Sequence, residues 1–131
     1  MKIENLMIED WLLYKSDSLE NAFPIQITRE MFNKELVVWN DRFEPIPLTQ
    51  EILVKNGFVN SYIDLSLNKD SVYKYNHFYT GNSVIVDMES NKLIVKYEND
   101  IWMNLPYNRT IYVHELQHVL KHCDIKKEII I

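Results

Sequence analysis

The segment YIDLSLNKDSVYKYNHFYTGNSVIVDMESNKLIVKY (residues 62–97) decides the fold class, because apolar residues recur at every second position in four short runs. Side chains of a strand point alternately to its two faces, so a period of two indicates β-strands. The turns NKD, TGN and ESNK separate the runs. We therefore predict a four-stranded antiparallel meander made of YIDLSL, SVYKYNHFY, SVIVDM and KLIVKY.

One face of the second run is rich in aromatic rings, since it carries Tyr73, Tyr75, His77 and Tyr79. One interpretation is a core or interface face filled with tyrosines. The other is a stacking surface for single-stranded RNA, as in sheet-based RNA-binding modules. No cluster of lysines and arginines surrounds these rings, which favours the first interpretation.

The N-terminal part of the chain predicts a β-hairpin followed by a short helix. The runs DWLLYK (residues 10–15) and FPIQIT (residues 23–28) have strand composition, and Pro24 belongs at an edge because it lacks an N–H donor. Thr28 is a suitable N-cap for a short helix in REMFNKEL (residues 29–36). Two tryptophans of this half of the chain, Trp11 and Trp39, are expected in the core.

The segment EPIPLTQEILVKNGF (residues 44–58) predicts a second short helix with both ends marked. Thr49 is the N-cap, and Glu51 lies in the first turn, where the helix dipole favours a negative charge. Gly57 can adopt the left-handed conformation that ends the helix. The buried side comprises Ile52, Leu53 and Phe58.

A longer helix is predicted near the C-terminus, in YNRTIYVHELQHVLKHC (residues 107–123). Its apolar stripe consists of Tyr112, Val113, Leu116, Val119, Leu120 and Cys123. We expect this helix to pack across the sheet. The prediction is a single α+β domain over residues 1–131, with an antiparallel sheet built from the meander and the N-terminal hairpin, this helix across it, and two short helices.

The composition restricts the function class. The net charge is −5 and the charges of both signs are dispersed, which argues against direct binding to nucleic acid. No apolar run is long enough to span a bilayer, and acidic residues interrupt the N-terminus where a signal peptide would lie, so we expect a cytoplasmic protein without membrane contact. Cys123 is the single cysteine, which excludes an intramolecular disulfide and a cysteine metal cluster.

The sequence HELQH (residues 114–118) raises the alternative of a zinc-dependent hydrolase. Two histidines four residues apart on a helix present two zinc ligands, so His114 and His118 would bind the metal and Glu115 would act as the base. At these positions the chain resembles the zincin metalloproteases. That family also needs a third ligand; Asp124 stands where one branch places it, but Lys121 replaces the glycine that lets the chain turn.

The second interpretation of this helix is an exposed face carrying His114, His118 and His122, which follow one another at four-residue spacing. Ligands spread along one straight helix do not converge on a tetrahedral centre. We favour this interpretation, and with it a protein without catalytic residues, metal or cofactor.

The segment YENDIWMNLPY (residues 97–107) is the best candidate for a partner-binding site, which we predict to be a linker. Its mixture of acidic and aromatic residues suits a protein partner, with Glu98, Asp100, Trp102 and Tyr107 as the contact residues. The alternative is a loop in which Trp102 and Met103 fold inward beneath the last helix.

Four segments taken together carry a family resemblance: IENLMIEDWLLY, PIQITREMF, EPIPLTQEILVKNGF and IYVHELQHVLKHC. In this order and spacing they resemble a group of small proteins, without an assigned activity, encoded by phages and integrated mobile elements of Bacteroidetes-type bacteria. The resemblance implies an inhibitor of host defence, such as an anti-CRISPR protein that acts on a type VI RNA-targeting effector. Such an inhibitor would bind a host protein or ribonucleoprotein by protein–protein contact, without catalysis.

Overall fold

The structure, a computed structural model, describes residues 6–15, 22–33, 40–60 and 71–131. Within these ranges the strands are β1 Trp11–Lys15, β2 Ala22–Gln26, β3 Phe43–Pro45, β4 Val59–Asn60, β5 Val72–Asn76, β6 Ser83–Asp87, β7 Lys92–Lys96 and β8 Trp102–Pro106. The helices are α1 Arg29–Asn33, α2 Gln50–Lys55 and α3 Val113–His122. Two antiparallel sheets, ordered β2-β1-β3 and β4-β5-β6-β7-β8, combine with these helices and confirm the predicted α+β class.

Strands β5, β6 and β7 form the centre of the five-stranded sheet and correspond to three of the four predicted runs. Val84 lies opposite Val95 and Val86 lies opposite Leu93, and all of these side chains are buried. Because alternate residues share a face, this side of the sheet forms a continuous apolar layer. The first predicted run, residues 62–67, lies outside the described residues.

Strand β8 lies within residues 97–107, so the prediction of a linker there is wrong. Met103 and Leu105 are half-buried against the core, whereas Trp102 and Asn104 are exposed. The alternation is that of a strand, but it spans too few residues to be distinctive in the sequence. The inward-folding alternative therefore holds for Met103 and fails for Trp102, whose exposure is 46%.

Strand β5 ends earlier than predicted, because a turn follows it. The His77 N–H donates to the Asn82 carbonyl at 2.9 Å, and Gly81 adopts a φ of +72°, which few other residues tolerate. Tyr79 consequently lies in the turn and not on a strand face. The prediction of a face shared by all the aromatic residues of this run is wrong beyond the end of β5.

The two tyrosines that β5 does contain belong to the core side of the sheet. Tyr73 is 3% exposed, and the ring of Tyr75 lies 5.4 Å from that of Phe58. A stacking platform for RNA needs accessible ring faces. The core interpretation is thus confirmed for Tyr73.

The predicted N-terminal hairpin is confirmed, with Leu13 of β1 opposite Pro24 of β2. β2 is an edge strand, where a missing N–H is tolerated. On its other side β1 pairs with β3, a short strand that was not predicted. α1 begins at Arg29 as expected, while Trp39 and the predicted continuation of this helix beyond residue 33 lie outside the described residues.

Helix α2 has the ends that the sequence predicts. The Ile52 N–H donates to the Thr49 hydroxyl at 3.3 Å, which satisfies one of the free donors of the first turn. Gly57 follows the helix with a φ of +85°. Leu53 is fully buried and joins α2 to the main core.

Helix α3 packs on the apolar face of the five-stranded sheet, as predicted. Val113, Leu116 and Leu120 are at most 1% exposed and belong to the same buried cluster as the sheet residues. No described helix combines the length and the apolar composition that crossing a bilayer requires.

The residues after α3 close the core from the side. Ile125 and Ile129 are buried, and the Ile129 carbonyl accepts a hydrogen bond from the indole N–H of Trp11 at 2.7 Å. The side chain of Asn56 binds both main-chain groups of Ile130, at 2.7 and 2.8 Å. Trp11 is half-buried against this core, close to the expectation for it.

Candidate functional site

The first candidate site is a buried carboxylate held by α3. Asp10 is fully buried, and its Oδ2 lies 2.7 Å from Nε2 of His118 and accepts the Met7 N–H at 2.7 Å. The neighbouring residue of α3, Gln117, accepts the Trp11 N–H and donates to the Glu9 carbonyl, both at 2.9 Å. Three consecutive residues of the N-terminal segment are thereby fixed to one turn of the helix.

His114 lies one helical turn before His118 and is buried, with 8% of its surface exposed. Its ring stacks on Tyr112 at 5.8 Å and meets the edge of His118 at 5.6 Å. Burial lowers the pKa of His114, although the negative charge of Asp10 acts in the opposite direction. The prediction of an exposed three-histidine face is therefore wrong at His114, whereas it holds at His122.

Two buried polar atoms of this site, Oδ1 of Asp10 and Nδ1 of His114, have no hydrogen-bond partner among the residues that the structure describes. Buried polar groups are normally paired, so such atoms indicate a site that costs stability to maintain. The second oxygen of Asp10 is well bound, which keeps the carboxylate in place.

Glu115, the proposed base of a zinc hydrolase, binds Arg109 and the main chain of Tyr112. Both of its oxygens accept hydrogen bonds from the Arg109 guanidinium, at 2.8 and 2.9 Å, and Oε1 also accepts the Tyr112 N–H at 2.8 Å. Burial opposes its ionisation, but the hydrogen bonds from Arg109 and Tyr112 outweigh burial and hold the pKa of Glu115 below its usual value. Glu115 therefore caps the start of α3 as part of an ion pair.

The zinc ligand set proposed from the sequence is not assembled. His118 directs Nε2 to Asp10, while Asp124 follows α3 with a φ of 58° and lines a separate cleft with Lys126 and Glu128. Throughout residues 6–15, 22–33, 40–60 and 71–131, no group of three or more His, Cys, Asp and Glu side chains is placed to hold a metal ion. The HELQH spacing brings two histidines together and adds no third ligand to them.

The second candidate site is the turn between β5 and β6. Phe78 and Tyr79 are 92% and 90% exposed, and their rings meet edge to face at 5.7 Å. Contacts within the turn fix its conformation. The His77 ring accepts the Thr80 N–H at 3.3 Å and lies 2.8 Å from the Thr80 hydroxyl. Two large rings are consequently presented to solvent on a defined backbone.

The turn between β7 and β8 lies beside the first turn and contains the predicted contact residues Glu98 and Asp100, both exposed. The Asn82 side chain joins the turns, since it accepts the Glu98 N–H at 3.1 Å. A Cβ placed on Gly81 would lie 3.1 Å from Cγ of Glu98, so the two turns are in contact. We call residues 77–82 and 97–102 the two-turn surface.

Trp102 is the last residue of the two-turn surface, and Tyr107 lies outside it. Trp102 is 46% exposed, and the Lys96 ammonium lies 5.2 Å from its ring centre. Tyr107 lies at the other end of β8, half-buried, with the Arg109 guanidinium 5.8 Å from its ring. Of the four predicted contact residues, the structure brings together Glu98, Asp100 and Trp102.

Sequence reasoning extended β5 through Phe78 and Tyr79, and so it did not identify these two exposed rings as residues of a turn. The signal that identifies the turn is Thr80 followed by Gly81, two residues common in turns. It also missed Asp10, which no local pattern marks as a partner of α3.

No protein-family model, no curated protein and no solved structure matches this chain.

Proposed function

We propose that this protein is a non-enzymatic binding protein that recognises a protein partner through the two-turn surface. The observation that carries the proposal is the near-complete exposure of Phe78 and Tyr79 on an ordered turn. Large exposed apolar groups are costly in water unless a partner covers them, and aromatic residues dominate the binding energy of protein interfaces.

The charge of the surface suggests the chemistry of the partner. Glu98 and Asp100 are exposed on the same surface, and the Lys96 ammonium lies 3.7 Å from the Asp100 carboxylate. The whole chain has a net charge of −5. A partner surface rich in lysine and arginine, with apolar grooves between them, would complement this arrangement.

Basic surfaces of this kind are typical of proteins that hold nucleic acid. Together with the resemblance to mobile-element proteins, this leads to a host RNA-guided nuclease as the partner, specifically a type VI effector, in the cytoplasm of the bacterial host cell. The protein would inhibit it by occupying the positively charged surface that holds RNA. Such inhibition needs affinity and no chemical step.

The experiment is a binding measurement between the purified protein and a purified type VI effector with its guide RNA, by biolayer interferometry. We expect a complex whose affinity falls as salt rises, because the contact is charged. The double variant Phe78→Ala/Tyr79→Ala should weaken binding by about tenfold or more. Phe23→Ala, which removes an exposed ring from β2, is the matched control and should bind like the wild type.

The charge contribution is tested separately. Glu98→Lys and Asp100→Lys should each weaken binding, whereas Glu51→Lys, an exposed charge reversal on α2, should not. Binding that is unchanged in both the aromatic and the acidic variants would exclude the two-turn surface as the contact. No binding to any nucleic-acid-handling complex would exclude the proposed partner class.

A further inference from the structure

The turn after β5 is fixed by the ring of His77. The main chain closes this turn with two hydrogen bonds: the His77 N–H donates to the Asn82 carbonyl at 2.9 Å, and the Gly81 N–H donates to the His77 carbonyl at 3.0 Å. Inside the turn, Nδ1 of His77 accepts the Thr80 N–H at 3.3 Å. The same ring lies 5.9 Å from the ring of Tyr79. His77 therefore contacts both the main chain of the turn and one of its exposed rings.

These hydrogen bonds require a neutral His77. A main-chain N–H can only donate, so the bond from Thr80 identifies Nδ1 as the unprotonated nitrogen of the ring. The Thr80 hydroxyl lies 2.8 Å from the same nitrogen and accepts the Asn82 N–H at 3.2 Å, which leaves its own proton free to donate to Nδ1. The ring consequently carries its proton on Nε2 and has no net charge.

Protonation of Nδ1 removes an acceptor from the turn, because both nitrogens of an imidazolium are donors. The contact with the Thr80 hydroxyl can reverse its direction, since a hydroxyl both donates and accepts. The Thr80 N–H cannot reverse, and it would face a second N–H without a partner. The charged ring of His77 thus loses the hydrogen bond that fixes the main chain directly after Tyr79.

Other ionisable groups meet this turn from its neighbours, and these ordinarily change charge outside the range of about pH 5 to pH 8 in which imidazole does. They are Tyr79 in the turn itself, Glu98 in the neighbouring turn, and Asp124 and Lys127 after α3. A second imidazole also belongs to this region. His122 precedes Cys123, whose carbonyl accepts a hydrogen bond from the Asn82 side chain at 3.1 Å.

We propose that neutral His77 is a positioning residue of the two-turn surface, and that protonation of its ring weakens partner binding; this regulation rests on the proposed function of that surface. Two effects act in the same direction. Without the Thr80 hydrogen bond the turn is less fixed, so binding has to order Phe78 and Tyr79 again at a cost in free energy. The imidazolium also repels the lysine and arginine side chains that we propose for the partner.

Two variants separate the acceptor of His77 from its charge. The oxygen of an asparagine side chain accepts the N–H three residues later at the start of many helices, and it does not titrate. His77→Asn should therefore keep the turn fixed at every pH. His77→Ala removes the acceptor and should leave the turn less fixed at every pH.

The first experiment follows the free protein by NMR between about pH 5 and pH 8. In the wild type, the Thr80 amide signal should shift with the same midpoint as the signals of the His77 ring. The control His122→Asn should show the same transition, whereas His77→Asn should show none. A Thr80 amide signal that stays constant while the His77 ring titrates would overturn the proposal, independently of any partner.

The second experiment measures binding to the type VI effector with its guide RNA at about pH 7.5 and about pH 5.5. Titration of the effector affects every variant alike, so the quantity to compare is the ratio of the wild-type and His77→Asn affinities at each pH. We expect the wild type to lose about three- to tenfold relative to His77→Asn at the lower pH, the usual effect of one hydrogen bond. His77→Ala should bind more weakly than the wild type at the higher pH, and His77→Asn should restore that loss.

The outcomes distinguish this regulation from the proposed function. An equal pH dependence of the wild type and His77→Asn would contradict the role of His77. Absence of binding at both pH values would instead exclude the proposed partner, while the NMR titration of the free protein still decides whether His77 controls the turn.

Discussion

Nε2 of His118 lies 2.7 Å from the fully buried carboxylate of Asp10, although 108 positions separate the two residues in the chain. This hydrogen bond attaches the segment before β1 to the middle of α3. It also explains why the helix shows the spacing of a zinc site without its geometry. A nitrogen that would bind metal instead holds a structural carboxylate.

The first prediction concerns this hydrogen bond. His118→Ala leaves Asp10 with one partner, the Met7 N–H, and should lower the free energy of unfolding by about 2 kcal/mol. His122→Ala removes an exposed histidine one turn later and should change it by less than about 0.5 kcal/mol. Chemical denaturation measures both. Equal effects of the two substitutions would show that the Asp10 contact contributes nothing.

The second prediction is a pH dependence caused by His114. Burial lowers the pKa of His114 in the folded protein, so the unfolded chain binds the proton more readily. The free energy of unfolding should therefore decrease as the pH falls below about 6.5, by at most about 1.4 kcal/mol per pH unit from this group. Denaturation at a series of pH values measures the slope.

His114→Phe keeps a ring beside Tyr112 and removes the titrating group, so this variant should have a smaller slope in that pH range. If His114→Phe and the wild type show the same pH dependence, His114 does not titrate as burial requires.

The third prediction concerns the cap of α3. Glu115→Ala removes the acceptor for the Tyr112 N–H and the partner of Arg109, and should cost about 1–2 kcal/mol of stability. Glu115→Gln keeps an acceptor oxygen and should cost less. Glu128→Ala, an exposed carboxylate after the helix, is the control and should have little effect. A Glu115→Ala variant as stable as this control would exclude the capping role.

The fourth prediction is the metal content of protein purified without a histidine tag. Because His118 binds Asp10 and Glu115 binds Arg109, we expect less than one equivalent of zinc by elemental analysis, and no rise in thermal stability on adding zinc. The variant His114→Ala/His118→Ala should have the same metal content as the wild type. One equivalent of zinc, lost in that variant, would revive the hydrolase alternative.

Local signals in the sequence are sufficient for the central elements of the fold. β6 and β7 are readily predicted because each contains a short apolar run, VIV and LIV, between clear turns. α2 is predicted because Thr49 and Gly57 mark its ends. In the structure Thr49 is the N-cap, and Gly57 follows the helix with a positive φ.

Short edge strands cannot be predicted from such local signals. β3 contains three residues, and β8 contains five and ends with Pro106, so neither provides enough alternation to separate a strand from a loop. These strands form because the neighbouring strands β1 and β7 offer a free edge, which is a property of the assembled sheet.

The candidate sites, too, can be predicted from the sequence only where they depend on local composition. The partner-binding segment was identified from its acidic and aromatic composition, which is a local property. The burial of His114 and the pairing of Asp10 with His118 both depend on the tertiary fold. Neither is encoded in residues that are close in sequence.

The hydrogen bond from Trp11 to Ile129 connects residues 118 positions apart, and the buried Ile125 and Ile129 complete the core. During synthesis, the first hairpin therefore leaves the ribosome long before the residues that cover it. The apolar face of β1 stays exposed in the nascent chain until residues 125–129 are translated, which favours folding after translation of the domain.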